Sequence, residues 1–244
     1  STRVRSSAAS DVYKRQTETN EVMFALQHSA KHKIASNYGK SYYPSDYSPN
    51  AGWADYYGNE DFFKAYPNDD RKEWNYMTEW KIKSGEIIPY TESADKLPAI
   101  SKYYDYDEGA PGKSAQSNGI TCIYRYAEVL LMYAEASTRA TNSVNQDALN
   151  AIQEVQKRAG YQNRQIELTT TTEPAAFLTA VSNERGWEFF AEMKRWFELV
   201  RLEKVKEVRA EEWDASTFNT NHHYYFPVPY QQVDLAGWTN NAGY

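Results

Sequence analysis

The segment from Tyr124 to Ala136, YRYAEVLLMYAEA, constrains the fold more than any other part of the sequence. It predicts a helix from Ile123 to Arg139 that carries apolar residues on nearly every side. Such a helix is stable only when neighbouring elements cover it. The segment nevertheless contains Arg125, Glu128 and Glu135, and buried charges persist when they are paired and hydrogen-bonded. The chain therefore needs partner helices as well as partners for these charges.

Two further helices can cover the first. Apolar residues at helical spacing predict one from Asn145 to Ala159, and a short link makes it an antiparallel neighbour of the first helix. Together they form a unit of about 37 residues, near the tetratricopeptide period. A third helix is predicted from about Thr172 to about Val205, and one short strand from Glu21 to Ser29. We therefore predict an all-α fold with tetratricopeptide-like helix pairs, long irregular loops and little strand.

Charged residues form a narrow seam along the first and third helices, as expected from 100° of rotation per residue. The economical interpretation is structural: the seams face each other or cap nearby loops, and arginines clamp carboxylates. The predicted members of this ionic seam are Arg125, Glu128, Glu135, Arg139, Glu184, Arg185, Glu188, Glu192 and Arg195.

Carboxylates on one helix face also occur in di-metal bundles and glycosidases, which are the alternatives to a structural seam. The three predicted helices carry no histidine, which di-metal bundles need. His222 and His223 are adjacent in a loop, which is a weak metal signal. Walker, nucleophile-elbow, HExxH and CxxC motifs are all missing from the sequence. We predict no catalytic residue, no metal site and no cofactor.

The region from Lys31 to Gly119 is rich in aromatic, Asn, Asp, Pro and Gly residues and predicts long loops. Aromatic rings beside polar groups can bind sugars, because sugar C–H faces stack on rings while hydroxyls need hydrogen bonds. Gly52 and Gly58 bracket what we predict to be an exposed tip. The alternative is that these rings pin a loop that lacks its own core. The predicted ligand-binding residues are Trp53, Tyr56, Tyr57, Tyr42 and Tyr43.

Other features of the same region are assigned to structure. Trp74, Tyr76 and Trp80 are predicted to be core residues, and Asp70 and Arg71 to form an internal pair.

Composition narrows the class of function. The formal net charge of −6 excludes a basic footprint for nucleic acid. The chain is poor in aliphatic residues for its length, as expected either of a folded protein with much functional surface or of a piece whose missing part would cover some of that surface. Residues 1–16 are predicted to be a foreign or disordered tail. Residues 17–244 then divide into a loop-rich segment (17–119), a helical scaffold (120–205) and an irregular C-terminal segment (206–244).

Several segments, in order, resemble the C-terminal half of the SusD/RagB-like family. They are EVMFALQHS, YPNDDRKEW (similar to the family's DPRR segment), IYRYAEVLLMYAEA, ALNAIQEVQKRAGY, NERGWEFFAEMKRWFELVR, YYFPVPYQQV and NNAGY. The resemblance covers roughly residues 17–244. It departs at Gly186 and Trp187, where Arg and Val are common, and at Ala242, which replaces a frequent Pro.

The resemblance implies a surface-exposed lipoprotein of the outer membrane in Bacteroidota-type bacteria. Such a protein binds glycans without catalysis and sits on a SusC-like TonB-dependent transporter. It would contact the membrane only through a lipid anchor that is absent from this chain, which the resemblance implies is truncated. The alternatives are a helical scaffold for protein interactions, or binding of peptides rather than glycans.

Overall fold

A computed structural model describes residues 21–29, 32, 34–48, 51–103, 119–160, 167–208 and 218–244, so the predicted tail lies outside the described residues. The helices are α1 (Tyr38–Tyr42), α2 (Glu60–Ala65), α3 (Asp70–Asn75), α4 (Tyr126–Thr141), α5 (Gln146–Ala159), α6 (Pro174–Glu188), α7 (Arg195–Arg201), α8 (Val205–Val208), α9 (Thr220–His223) and α10 (Tyr230–Ala236). The strands are β1 (Val22–Gln27), β2 (Tyr76–Met77), β3 (Glu79–Lys81), β4 (Ile87–Pro89), β5 (Ala99–Ile100) and β6 (Ile120–Arg125).

The strands form three antiparallel two-stranded sheets, β1–β6, β2–β5 and β3–β4. Helices dominate the rest of the described chain, and the predicted fold class is confirmed. None of the described helices is long and apolar enough to cross a membrane. The chain divides into two compact units, residues 1–192 and 193–244.

The core of the first unit lies where α4 packs against α5 and α6. Leu131, Ile152, Phe177 and Val181 are fully buried there. The caps follow from the sequence: the Asn145 side chain accepts from the Ala148 amide at 2.7 Å and so starts α5. The predicted helix pair is therefore present.

The first predicted helix begins three residues later than expected. Ile120 to Arg125 form strand β6, with Ile120 and Cys122 buried and Tyr124 exposed. This strand pairs with β1, and Arg125 is its last residue, in extended backbone conformation. The prediction that Arg125 belongs to the first helix, and shares a helical face with Glu128 and Glu135, was therefore wrong.

The third predicted helix is also shorter than expected. It starts after Glu173, whose carboxylate accepts from the Ala175 and Ala176 amides, and it ends at Glu188. Beyond it, Ala191 and Met193 have φ values of 58° and 59°, which no α-helix permits.

In the second unit, α7 and α8 precede the YYFPVPY segment, where Pro229 leads into α10. The last residue, Tyr244, donates from its hydroxyl to the Tyr225 carbonyl at 3.0 Å and packs its ring on His222.

Candidate functional site

A buried ionic cluster occupies the middle of the first unit. It is composed of Arg71, Lys102, Arg125, Arg158, Glu21, Asp69, Glu184, Glu188 and Glu192.

Glu188 is the centre of this cluster. Arg71 donates to its Oε2 at 2.9 Å, and Arg125 and Arg158 both donate to its Oε1. Burial opposes ionisation of Glu188, but Arg158, Arg125 and Arg71 outweigh it and hold its pKa well below the ordinary value. Glu188 is therefore a fully paired carboxylate.

Glu192 and Glu184 lie on either side of Glu188 and differ from each other. Arg125 and Lys102 donate to Glu192 Oε1 at 2.8 and 2.6 Å and lower its pKa despite burial. Burial instead raises the pKa of Glu184, against the pull of Arg71, which donates to Glu184 Oε1 at 2.5 Å. Burial therefore makes Glu184 harder to ionise than an ordinary glutamate, whereas Glu188 and Glu192 are easier to ionise.

The structure brings together only part of the predicted ionic seam. Arg125, Glu184, Glu188 and Glu192 share the cluster. Elsewhere, Arg185 lies 3.7 Å from Glu128, Arg139 pairs with Glu135 at 2.8 Å, and Arg195 pairs with Glu198 at 3.0 Å. The two seams thus do not face each other along their whole length.

Sequence reasoning missed several members of the cluster. Arg71 binds Asp69 at 2.6 Å, where Asp70 had been predicted, and Arg158 joins from α5. The sequence Asp69–Asp70–Arg71 does indicate that Arg71 pairs with an aspartate. Which of the two aspartates it binds depends on the backbone geometry at the N-terminus of α3. No group of three or more His, Cys, Asp or Glu that could hold a metal ion occurs among the described residues.

The second candidate site is the aromatic loop, defined as the described residues between Tyr38 and Gly58. Here the chain doubles back onto α1: the Gly52 amide donates to the Pro44 carbonyl at 2.8 Å, and the Trp53 amide to the Lys40 carbonyl at 2.8 Å. A Cβ on Gly52 would lie 1.8 Å from the Tyr43 carbonyl oxygen, and Gly58 is buried. These glycines allow close packing, while Trp53, Asp55 and Tyr56 between them are exposed, as predicted for this segment.

The five predicted ligand-binding rings fall into two groups. Trp53 and Tyr56 are 51% and 57% exposed, whereas Tyr42 and Tyr43 are 5% and 2% exposed. Tyr57 is half-buried and donates to Asp95 at 2.5 Å. The structure thus separates two accessible rings from rings that belong to the interior of the loop.

The buried rings support the exposed ones. Tyr42 stacks on Tyr103 with centroids 5.6 Å apart and contacts the Tyr56 ring at 5.7 Å. Burial, with Tyr38 nearby, raises the pKa of Tyr42 to about 12. The Lys40 ammonium lies 5.2 Å from the Trp53 ring centroid, within cation–π range. Trp53 and Tyr56 therefore each pack against a side chain of α1.

The neighbouring aromatics are largely core, as predicted. Tyr76 and Trp80 are buried, and Trp80 Nε1 donates to Asp46 at 2.7 Å. Trp74 is half-buried.

Comparison with known proteins places these features in a family context. The profile of the SusD family matches residues 78–244. SusD-like protein P2 of Formosa agariphila is 28% identical over 200 residues, which are 74% of this chain and 39% of that protein.

Solved structures agree on the fold. A SusD superfamily protein from Parabacteroides distasonis superposes with a TM-score of 0.74 at 23% identity, covering 94% of this chain and 51% of that one. Surface glycan-binding protein A from Bacteroides thetaiotaomicron, in complex with laminarihexaose, gives a TM-score of 0.69 at 22% identity, covering 95% and 54%. This chain therefore spans about half the length of these structures.

Proposed function

This chain belongs to the SusD family, and from that premise we propose that it binds glycan oligosaccharides at the cell surface through Trp53 and Tyr56, without catalysis. One observation carries the proposal: two accessible aromatic rings lie three residues apart on a loop whose backbone is hydrogen-bonded onto α1. Rigid rings bind sugars with little loss of conformational entropy.

The chemistry of the loop suits a sugar. The faces of Trp53 and Tyr56 offer flat apolar surface for sugar C–H groups. The exposed Asp55 lies between them in sequence and offers acceptors for hydroxyls. The buried Tyr42 and Tyr43 hold this surface in place, so we assign them a supporting role, and Tyr57 fixes the loop to Asp95.

Relatives support the same class of ligand. Two of the solved structures with this fold are described as binding laminarihexaose or laminarin. The family further supports a role at the outer-membrane surface, anchored by a lipid and delivering nutrient to a SusC-like TonB-dependent transporter. These assignments to the present chain are part of the proposal.

The ionic cluster supports binding without catalysis. A glycosidase needs one protonated acid and one free carboxylate flanking the substrate. Here Glu188 and Glu192 are buried and bound by arginine or lysine, so neither is available to a glycosidic bond.

A helical scaffold is the second candidate, and a specific observation favours it. Tyr126, Val129, Met132 and Tyr133, which we call the outer face of α4, are all at least one-third exposed. Exposed apolar patches of this kind are typical of protein interaction sites.

Affinity electrophoresis separates these functions. The chain is run in native gels that contain laminarin, starch, xylan or mannan, and we expect at least one glycan to retard it. The Trp53→Ala/Tyr56→Ala variant should migrate freely. The matched control is Trp238→Ala/Tyr230→Ala, which removes a Trp and a Tyr that are more exposed than Trp53 and Tyr56 from the second unit, and it should remain retarded.

If both double variants were retarded equally, the aromatic loop would not be part of the glycan-binding site. If no glycan retards the unmodified chain, the proposal fails. Retardation by a casein digest alone would favour peptide binding.

A further inference from the structure

A cavity of about 610 Å³ opens in the first unit and shares no lining residue with the aromatic loop. It lies between the start of α3, the C-terminal half of α5, residues 167–171 and the second half of α6. Cavities that hold small ligands measure about 300–1,000 Å³, so this one is large enough for a ligand.

We propose that this cavity binds a neutral sugar ring, as a second carbohydrate site in the helical body. This cavity site is separate from the proposed site on the aromatic loop, and either site can exist without the other.

The half-buried aromatic residue Trp187 lines the cavity. The hydroxyl of Tyr66 donates to the Trp187 carbonyl at 2.6 Å, and the centroids of the two aromatic rings lie 6.4 Å apart. Since Tyr66 is itself buried, Trp187 is held against a fixed support. An aromatic wall beside a polar lining is the arrangement that stacks a sugar face and binds its hydroxyls.

The polar lining is already fixed in place. Gln156, which is buried, donates to Thr169 Oγ1 at 2.9 Å and accepts from the Thr169 amide at 2.9 Å. These bonds hold the strip of threonines at 169–171 along the cavity. At the mouth, the side chain of the exposed Asn183 makes no hydrogen bond to another of the described residues, so its amide can bind a ligand hydroxyl.

The charges around the cavity exclude anions. Asp69, Glu167 and Glu184 line it, and the cation among the described lining residues is Arg71. Its guanidinium is already bound by Asp69, Glu184 and Glu188. A ligand carboxylate or sulfate would therefore enter an acidic site without a cation to pair with, which is costly. The cavity should prefer neutral sugars to uronic acids.

Indole NMR of the full chain labelled with ¹⁵N-tryptophan tests this inference. Each tryptophan gives one indole N–H signal, and Trp187→Phe and Trp53→Ala identify those of the two sites. The probes are the methyl glycosides of glucose, galactose, mannose and N-acetylglucosamine, and glucuronate. We expect at least one neutral glycoside to shift the Trp187 signal saturably, and glucuronate to bind roughly tenfold more weakly or not at all.

Two variants sharpen the result. Asn183→Ala should weaken binding about two- to tenfold, as expected for one lost hydrogen bond. The matched control Asn150→Ala removes an exposed Asn from α5, outside the cavity, and should leave binding unchanged. The Trp187 shift should persist in Trp53→Ala/Tyr56→Ala, which separates failure of this site from failure of the loop.

The inference is wrong if no neutral glycoside shifts the Trp187 signal of the folded chain. It is equally wrong if glucuronate binds as tightly as the neutral probes, or if Asn183→Ala and Asn150→Ala behave alike.

Discussion

Glu184 and Glu188 lie one turn apart on α6 and are both buried, yet their surroundings shift the pKa values of the two carboxyls in opposite directions. Three guanidinium groups donate to Glu188, whereas the charged partner of Glu184 is Arg71, which is shared with Asp69 and Glu188. Burial penalises both carboxylates, and the number of cationic partners is the largest difference between them, since Glu184 otherwise accepts from the uncharged Gln156 amide at 3.3 Å. The same residue type at helical spacing thus has two electrostatic roles.

We expect Glu188→Gln to destabilise the chain far more than Glu184→Gln. Loss of the Glu188 charge removes the carboxylate that Arg71, Arg125 and Arg158 share and leaves an excess of positive charge in the cluster, which costs about 3–5 kcal/mol. At Glu184 the amide removes a charge that burial already disfavours, so the cost should be about 1 kcal/mol or less. Urea unfolding of both variants at neutral pH measures the difference. Equal losses would contradict the electrostatic contrast between the two sites.

Acidification should destabilise the chain through Glu188 and Glu192. Their folded-state pKa values lie below the ordinary value of 4.5, so the unfolded chain binds more protons as the pH falls below that value. Stability that is present above the ordinary value is therefore lost as the pH falls towards the folded-state pKa values. Glu184 has the opposite sign: its raised pKa costs stability as the pH rises above 4.5.

The urea midpoint should therefore drop between about pH 5 and about pH 3. The Glu188→Gln/Glu192→Gln variant serves as the control, because its midpoint should vary less over the same interval. An equally steep decline in that variant would assign the acid sensitivity to other groups.

At the scale of the elements, the sequence predicted helices well where local signals decide them. Asn145 caps α5 and the apolar spacing of α5 fills the core, so its bounds agree within one residue. The errors occur where α6 ends and where Arg125 precedes α4. The Glu188 carbonyl accepts from Arg125 Nη2 at 2.7 Å and from Lys102 Nζ at 3.3 Å. Because these donors come from distant segments, no local pattern could reveal the end of the helix.

The aromatic loop shows the same limit. Composition predicted that Tyr42, Tyr43, Trp53 and Tyr56 lie in one irregular segment, but it could not tell the buried rings from the exposed ones. That distinction follows from backbone pairing, such as the Ala54 amide donating to the Tyr43 carbonyl at 3.1 Å. Sequence periodicity does not predict backbone hydrogen bonds within an irregular loop.

We expect Gly52→Ala to detach this loop. A Cβ at Gly52 would lie 1.8 Å from a backbone oxygen, which cannot yield as a flexible side chain does. Trp53 and Tyr56 should lose their fixed positions, so proteolysis within residues 51–58 should accelerate and retardation in the glycan gel should fall. Gly85→Ala is the control: it strains a φ of 92°, but the new Cβ comes no closer than 3.9 Å to another side chain. Unchanged retardation in Gly52→Ala would mean that binding does not depend on this packing.

At the scale of the whole molecule, α4 has two apolar faces and only one of them is covered by the described core. Leu131 on the inner face is fully buried, whereas Met132, the next residue, is 50% exposed. The chain spans 39% of the length of the Formosa relative and about half of the solved structures. The described residues leave the outer face of α4 accessible.

We therefore expect the 244-residue chain to self-associate through the outer face of α4, because accessible apolar patches drive association. Light scattering across a concentration series should give a rising apparent mass. Val129→Gln/Met132→Gln should hold it at the monomer value, with the free energy of unfolding changed by less than about 0.5 kcal/mol per site. Leu131→Ala, one position away on the inner face, should instead cost about 2–5 kcal/mol and leave the association in place. If Val129→Gln/Met132→Gln lost as much stability as Leu131→Ala, the outer face would be part of the core of this chain. If the unmodified chain stayed monomeric at all concentrations, the outer face of α4 would not drive association.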